Sequence, residues 1–327
     1  MKILVTGFAG FIGSHVCETL IENKHKVWGI DNLSTGHKGN IKIFKDKLQG
    51  VVYDDINNID SYFDNIEFDQ IIHLAALADV VPSIKNPRSY FNSNVSGTLS
   101  LIDFMQKRKI KKIIYTASSS CYGIPKKFPT NENELIDTRY PYALTKYTGE
   151  EYVKHFSNLY NFNAISLRLF NVYGPRARTT GTYGAVFGIF LKQLLSNKPL
   201  TIVGDGKQTR DFIFVKDVAN AFLLSSNSNL DGFNIFNVGA SKPISINYLA
   251  KILNPVDVIY IPDRPGEPRQ TFADISKIKK KLGWEPKIKF EDGVKIMIDN
   301  INYWKDAPLW DKTSISNETK DWFKYVK

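Results

Sequence analysis

Cysteine is scarce in this chain: two in 327 residues, Cys17 and Cys121. Two thiols cannot build a disulfide framework, and both are expected to stay reduced, as in a cytoplasmic protein. Long apolar runs are missing as well. None approaches the ~20 residues a membrane span requires, and the first predicted strand begins at Lys2, which leaves no room for a signal peptide. Internal repeats, low-complexity stretches and flexible linkers are also absent, so a solenoid or a string of small modules is not expected.

What is there points to an ordinary globular protein, with 43% hydrophobic and 23% charged residues. The length suits one large doubly wound domain plus a smaller one, because single cores stop growing near ~250 to 300 residues. A formal charge of +10 raises the question of nucleic acid. The lysines are scattered through Lys107 to Lys112, Lys277 to Lys281 and other predicted helix faces, which reads as solvated helix surface rather than one basic face. No nucleic-acid or membrane partner is expected, and no metal site. Positive charge also suits a substrate that carries phosphate.

Apolar runs and turn signals predict strands at Lys2 to Thr6, Val27 to Ile30, Asp69 to Ala75, Lys112 to Ala117 and Ala164 to Leu169. They alternate with helices at Ile12 to Asn23, Tyr90 to Lys107 and Ala143 to Tyr160. This is the rhythm of a parallel α/β sheet. After Tyr173-Gly174-Pro175 the pattern loosens, with a helix near Val186 to Ser196 and a short strand at Thr201 to Val203. Phe212 to Val215 and Phe233 to Val238 read as strands able to return to the main sheet. The expected organisation is therefore a doubly wound domain over 1–174 with return segments at about 211–240, interleaved with a smaller α/β domain over 175–327.

Thr6-Gly7-Phe8-Ala9-Gly10-Phe11-Ile12-Gly13 follows the first strand and opens the first helix, the setting in which a glycine pattern signals a dinucleotide. Gly7 permits a tight turn, Gly10 lets the backbone approach a pyrophosphate, and Gly13 lets helix pack on strand. The phosphates would meet the free N–H groups at Phe11 and Ile12. Asp31, at the end of the second strand, can accept from an adenosine ribose and would repel a 2′-phosphate, which favours NAD over NADP. It can equally cap the turn that begins Asn32-Leu33-Ser34. Asp55 and Ile56 suit the adenine edge and face, although a loop carboxylate is also common as solvated surface.

Tyr142 and Lys146 lie four apart on a predicted helix and so share a face. An ammonium beside a phenol favours phenolate, drawing it from near ~10 towards the range of a general base. A bare pair at this spacing also occurs on helix surfaces. Ser118, Ser119 and Ser120 follow the strand ending at Ala117, at the sheet edge where such folds bind ligands; serine-rich turns also occur there without chemistry.

Taken together, these residues resemble the extended short-chain dehydrogenase/reductase family, in particular its nucleotide-sugar epimerase and dehydratase branch. The resemblance runs on through Leu74-Ala75-Ala76, Asn94 and Phe170-Asn171-Val172-Tyr173-Gly174-Pro175. It extends to Gly204-Asp205-Gly206 with Arg210, to Arg264-Pro265-Gly266-Glu267, and to Leu282-Gly283-Trp284. It implies that Tyr142 is the catalytic base, that Lys146 lowers its pKa and holds the nicotinamide ribose, and that Ser118 is the catalytic hydroxyl. Leu74, Ala75, Ala76 and Asn94 would lie on the nicotinamide side. Asn171, Arg210 and Arg264 would grip the diphosphate and Glu267 the nucleotide ribose, while Val186 and Thr201 to Val203 would surround a uracil. A homodimer through the helices at Tyr90 to Lys107 and Ala143 to Tyr160 is implied too.

Within that branch, dehydratases carry an acid pair where this chain has Ser119 and Ser120, and decarboxylases tend to carry a glutamate at the second position. Epimerisation at C4 of a UDP-linked sugar is therefore the expected reaction. Thr271, small at a position that restricts the pocket when bulky, favours UDP-N-acetylglucosamine, with UDP-glucose also accepted. Two departures from the pattern stand out: Arg139-Tyr140 before Tyr142, and the basic run Arg176-Ala177-Arg178 with Thr179-Thr180. The second would suit a uronate and keeps UDP-glucuronate as the runner-up. A non-catalytic NAD-binding regulator is the rival from another class, since fold alone does not prove activity. The aromatic segment Trp304 to Trp322 reads as a covering helix.

Overall fold

A computed structural model describes residues 1–179 and 185–326. Thr180, part of the basic departure, lies outside the described residues. The strands are β1 (Lys2–Thr6), β2 (Lys26–Ile30), β3 (Gly50–Val52), β4 (Gln70–His73), β5 (Lys112–Ser118), β6 (Asn163–Leu169), β7 (Asn171–Tyr173), β8 (Leu200–Val203), β9 (Thr209–Phe214), β10 (Phe233–Val238), β11 (Pro243–Ser245) and β12 (Val258–Ile261). Seven of them form one sheet in the order β10-β6-β5-β4-β1-β2-β3, with every pairing parallel.

Parallel strands covered on both faces read as continuous apolar runs, and β1 and β5 do so: Ile3, Leu4, Val5, Ile113, Ile114 and Tyr115 are fully buried. Helices Phe11–Glu22 and Val215–Asn227 pack on one face, Gly97–Lys107 and Pro141–Tyr160 on the other. Strand order reverses between β1 and β4. Ligands of doubly wound sheets bind outside the carboxyl ends of such a switch point, here the residues after Thr6 and His73.

The second lobe has its own core around Phe187, Phe190, Phe212, Phe214, Trp304 and Trp322. There β9 lies between β11 and β7, and β8 pairs with β12. Of the two strands expected to rejoin the main sheet, β10 does so as its edge beside β6. The segment at Phe212 to Val215 does not: β9 takes parallel β7 and antiparallel β11 as partners, which carries the chain into the second lobe. The strand expected through Ala75 stops at His73: the Leu74 N–H is shared between the Thr6 carbonyl and Thr6 Oγ1, and the Ala75 N–H goes to Thr6 Oγ1, all at 3.1 Å. The single helix expected over Tyr90 to Lys107 is three pieces, Pro87–Phe91, a π-helical turn Asn92–Ser96, and Gly97–Lys107.

Candidate active site

The two lobes enclose a cleft of about 680 Å³ that runs from the glycine turn to the second-lobe arginines. Its first end is built by close backbone approach. Gly7 has φ +69, and a side chain there would begin 2.7 Å from the Ala75 nitrogen; one on Gly13 would begin 2.0 Å from the Gly7 carbonyl oxygen. Only glycine lets the helix start this tightly against the strand. Helix Phe11–Glu22 has no side-chain cap and no acidic residue in its first turn, so its N–H groups and dipole remain available to an anion. The donor set fits a dinucleotide diphosphate.

Asp31 is 7% exposed, and its carboxylate accepts from the Ala9 N–H at 3.0 Å and the Leu33 N–H at 2.8 Å. Burial pushes its pKa up and these N–H groups, with that of Gly10, pull it back down. It thus braces both the glycine turn and the following turn while still facing the cleft. Asn32 Nδ2 donates to Asp55 at 2.8 Å, and both line the cleft beside Ile56. Leu74, Ala75 and Ala76 form the opposite wall. Asn94 stands behind that wall. Its side chain bonds both backbone groups of Leu77, at 2.8 and 3.0 Å, and donates to Thr145 Oγ1 at 3.0 Å, while its neighbour Ser93 reaches the cleft.

Tyr142 sits in the first turn of helix Pro141–Tyr160, which starts with proline at a position where no N–H is needed. Ser118, at the end of β5, lies near enough to the Tyr142 phenol to favour its ionised form, and Ser120 Oγ donates to Ser118 Oγ at 2.8 Å. Ser118, Ser119, Ser120 and Tyr142 all line the cleft. Burial raises the phenol above its usual range, Ser118 opposes that, and Asp79 and Cys121 push it further up. Burial also brings Lys146 down to about 7 against the pull of Glu150, one turn along the helix. The Lys146 amine lies over the Tyr115 ring, 4.5 Å from its centroid.

At the far end Glu267 is shared by two arginines, accepting from Arg264 at 2.8 Å and Arg210 at 3.3 Å. The cluster carries two cations and one anion, and its carboxylate is engaged by the guanidinium groups. Thr271 Oγ1 donates to Asn171 Oδ1 at 3.0 Å and accepts the Asp211 N–H at 2.8 Å, so it fixes the Asn171 amide as well as leaving room. Val186, Thr201 and Val203 line the same end. Of the basic run, Arg178 faces the cleft in an ion pair with Asp79, whereas Arg176 turns to Glu18 at 2.7 Å.

Several cleft residues were given no site role by the sequence. Asp79 follows the Leu74-Ala75-Ala76 wall without a motif of its own. Tyr140 lines the cleft with its ring 5.7 Å from that of Trp322, and Trp322 Nε1 donates to the Pro265 carbonyl at 2.8 Å. With Trp304 and Trp310, Trp322 makes the C-terminal segment a wall of the cleft rather than an outer cover. The aromatic spacing of that segment was its one visible hint.

Residues 3–239 match the model of the NAD dependent epimerase/dehydratase family. A putative UDP-glucose 4-epimerase of Methanocaldococcus jannaschii is 39% identical over 91% of this chain and 97% of its own length. A UDP-glucuronate 4-epimerase of Thermodesulfobacterium geofontis is 35% identical over 89% and 93%. The solved structure of UDP-N-acetylglucosamine 4-epimerase from Methanobrevibacter ruminantium M1, in complex with UDP-N-acetylmuramic acid, superposes with a TM-score of 0.84 at 36% identity, covering 91% of this chain and 98% of that one. On the glycine turn, the Ser118 and Tyr142 geometry and this match over most of its length, the chain belongs to the NAD-dependent epimerase/dehydratase family.

Proposed function

We propose that the protein interconverts the C4 epimers of a UDP-linked hexose, UDP-N-acetylglucosamine and UDP-glucose first among them, through a transient 4-keto sugar. The observation that carries this reading is that Tyr142 and the hydrogen-bonded hydroxyls of Ser118 and Ser120 line the same cleft as the glycine turn. NAD, when bound, would supply the hydride acceptor and donor that transient oxidation and re-reduction at C4 require. The residues supply the rest. Tyr142 as phenolate accepts the C4 hydroxyl proton and later gives it back, Ser118 stabilises that phenolate, and Lys146 holds the nicotinamide ribose. Gly7, Gly10, Phe11, Ile12 and Gly13 would seat the diphosphate of the coenzyme, Asp31 and Asn32 its ribose, and Asp55 and Ile56 its adenine.

Asn171, Arg210 and Arg264 would hold the substrate diphosphate, with fork-shaped donors matched to its oxygens. Ser119 and Ser120 supply no acid for loss of water, which argues for epimerisation over dehydration. Incubation of the NAD-loaded protein with UDP-glucose, UDP-N-acetylglucosamine and UDP-glucuronate separately, with products resolved by chromatography, tests the reading. The C4 epimer of at least one neutral sugar is the expected product, and conversion of none of them contradicts it.

We further propose a homodimer. Phe91, Leu144, Tyr152 and Leu159 are exposed apolar residues on or beside the two helices that cover one face of the sheet. Light scattering should give twice the 37.2 kDa chain mass, and Leu144→Glu should halve it; a monomeric parent contradicts the assignment. A cytoplasmic setting is consistent with two buried free cysteines, and among the described residues no helix is long and apolar enough to cross a membrane.

A further inference from the structure

We propose that the Asp79–Arg178 ion pair selects the charge of the sugar: paired, it presents no net charge to the substituent on C5 and admits a neutral hexose in preference to a uronate. This rests on the UDP-sugar reading above. Both partners line the cleft. Asp79 follows Ala78 of the coenzyme wall and precedes helix Val80–Lys85; Arg178 comes from the segment after β7. Their side chains are 24% and 31% exposed, so the pair faces the open cleft rather than the protein interior.

Its place is the reacting end. The Asp79 carbonyl accepts the Tyr90 hydroxyl at 2.6 Å, and the Tyr90 ring stands 6.5 Å from that of Tyr142. Asp79 also acts electrostatically on the Tyr142 phenol. The Arg210, Arg264 and Glu267 cluster, suited to the diphosphate, is a separate group of charges in the same cleft.

In the sequence, Arg176 and Arg178 look like a cluster made for a carboxylate. In the fold each is matched by an acid, Glu18 for Arg176 and Asp79 for Arg178. A uronate carboxylate arriving beside Arg178 would meet the Asp79 carboxylate as well, and like charges brought together disfavour binding. A hydroxymethyl group brings no charge and can accept from the remaining guanidinium N–H groups. Asparagine keeps the shape and one carbonyl oxygen of Asp79 and removes the charge that burial disfavours, so Asp79→Asn is expected to fold.

The test uses NAD-loaded wild type, Asp79→Asn and the double variant Asp79→Asn/Arg178→Met. Each is titrated calorimetrically with UDP-glucose and UDP-glucuronate and assayed for turnover. Wild type should favour UDP-glucose. In Asp79→Asn the relative affinity for UDP-glucuronate should rise roughly tenfold or more, the worth of a charged hydrogen bond that no longer faces a competing anion. In the double variant that gain should vanish. A wild type that prefers UDP-glucuronate, an unchanged ratio in Asp79→Asn, or a gain that survives loss of Arg178 overturns the proposal. Wild type that binds these sugars and converts none defeats the epimerase reading instead, and the affinity ratios still decide the role of the pair.

Discussion

Tyr142→Phe is expected to bind NAD as the parent does and to turn over its UDP-sugar more slowly by a factor on the order of 10² to 10⁴, the usual worth of one positioned proton-transfer group. The ring is retained, so its edge-on contact with Tyr90 at 6.5 Å and the start of helix Pro141–Tyr160 should survive. What is lost is the phenol hydroxyl, whose ionised form the neighbouring Ser118 favours. Because the phenol is held above its usual range in the protein alone, the substrate complex has to supply the stabilisation that makes it a base at neutral pH. Substrate affinity should therefore change far less than kcat. Turnover equal to the parent would remove Tyr142 from the mechanism.

Arg168→Met is expected to destabilise the fold by about 3 to 5 kcal/mol, the cost of leaving a buried partner charge unpaired. Arg168 on β6 and Glu150 on helix Pro141–Tyr160 are 3% and 1% exposed. The guanidinium Nε lies 3.1 Å from both Glu150 carboxylate oxygens, and Nη2 bonds one of them as well. Nη1 donates to the Tyr122 hydroxyl at 3.0 Å, which in turn donates to Asn237 Oδ1 on β10 at 2.7 Å. Ser166 Oγ completes the carboxylate's partners at 2.6 Å.

The network ties the edge of the main sheet to the helix that carries Tyr142 and Lys146. Denaturant unfolding should show the loss as a lower midpoint. The double variant Arg168→Met/Glu150→Leu should recover most of it, since no charge is then left buried without a partner. Its turnover should nonetheless fall below the parent's, because Glu150 is what opposes the burial that lowers Lys146 to about 7. Equal stability of the single and double variants would contradict this account of the pair.

The parallel sheet and its switch point were legible because both depend on local pattern. Apolar runs such as Ile113 to Tyr115 mark strands covered on two faces, and a glycine turn between strand and helix marks the crevice. What escaped depends on contacts distant in sequence. The end of β4 is set by Thr6 Oγ1, 68 residues away from Leu74. The π-helical turn around Asn94 accompanies that side chain's bonds to Leu77, which no local periodicity encodes. Phe212 to Val215 has the composition of a core strand, and composition does not say which sheet will receive it. Arg178 looked like a free cation until the fold brought Asp79, 99 residues away, against it. The charge of a site is a property of the assembled cleft, whereas the sequence displays only the individual residues.

The central claim is that C4 is oxidised and reduced inside the cleft without its hydrogen being lost to water. It is tested most directly with a UDP-sugar that carries deuterium at C4, converted by the NAD-loaded protein in ordinary water and examined by mass spectrometry. The account predicts that the deuterium is found at C4 of the epimer, with a slowed rate of conversion. Product in which C4 carries hydrogen from solvent would contradict it.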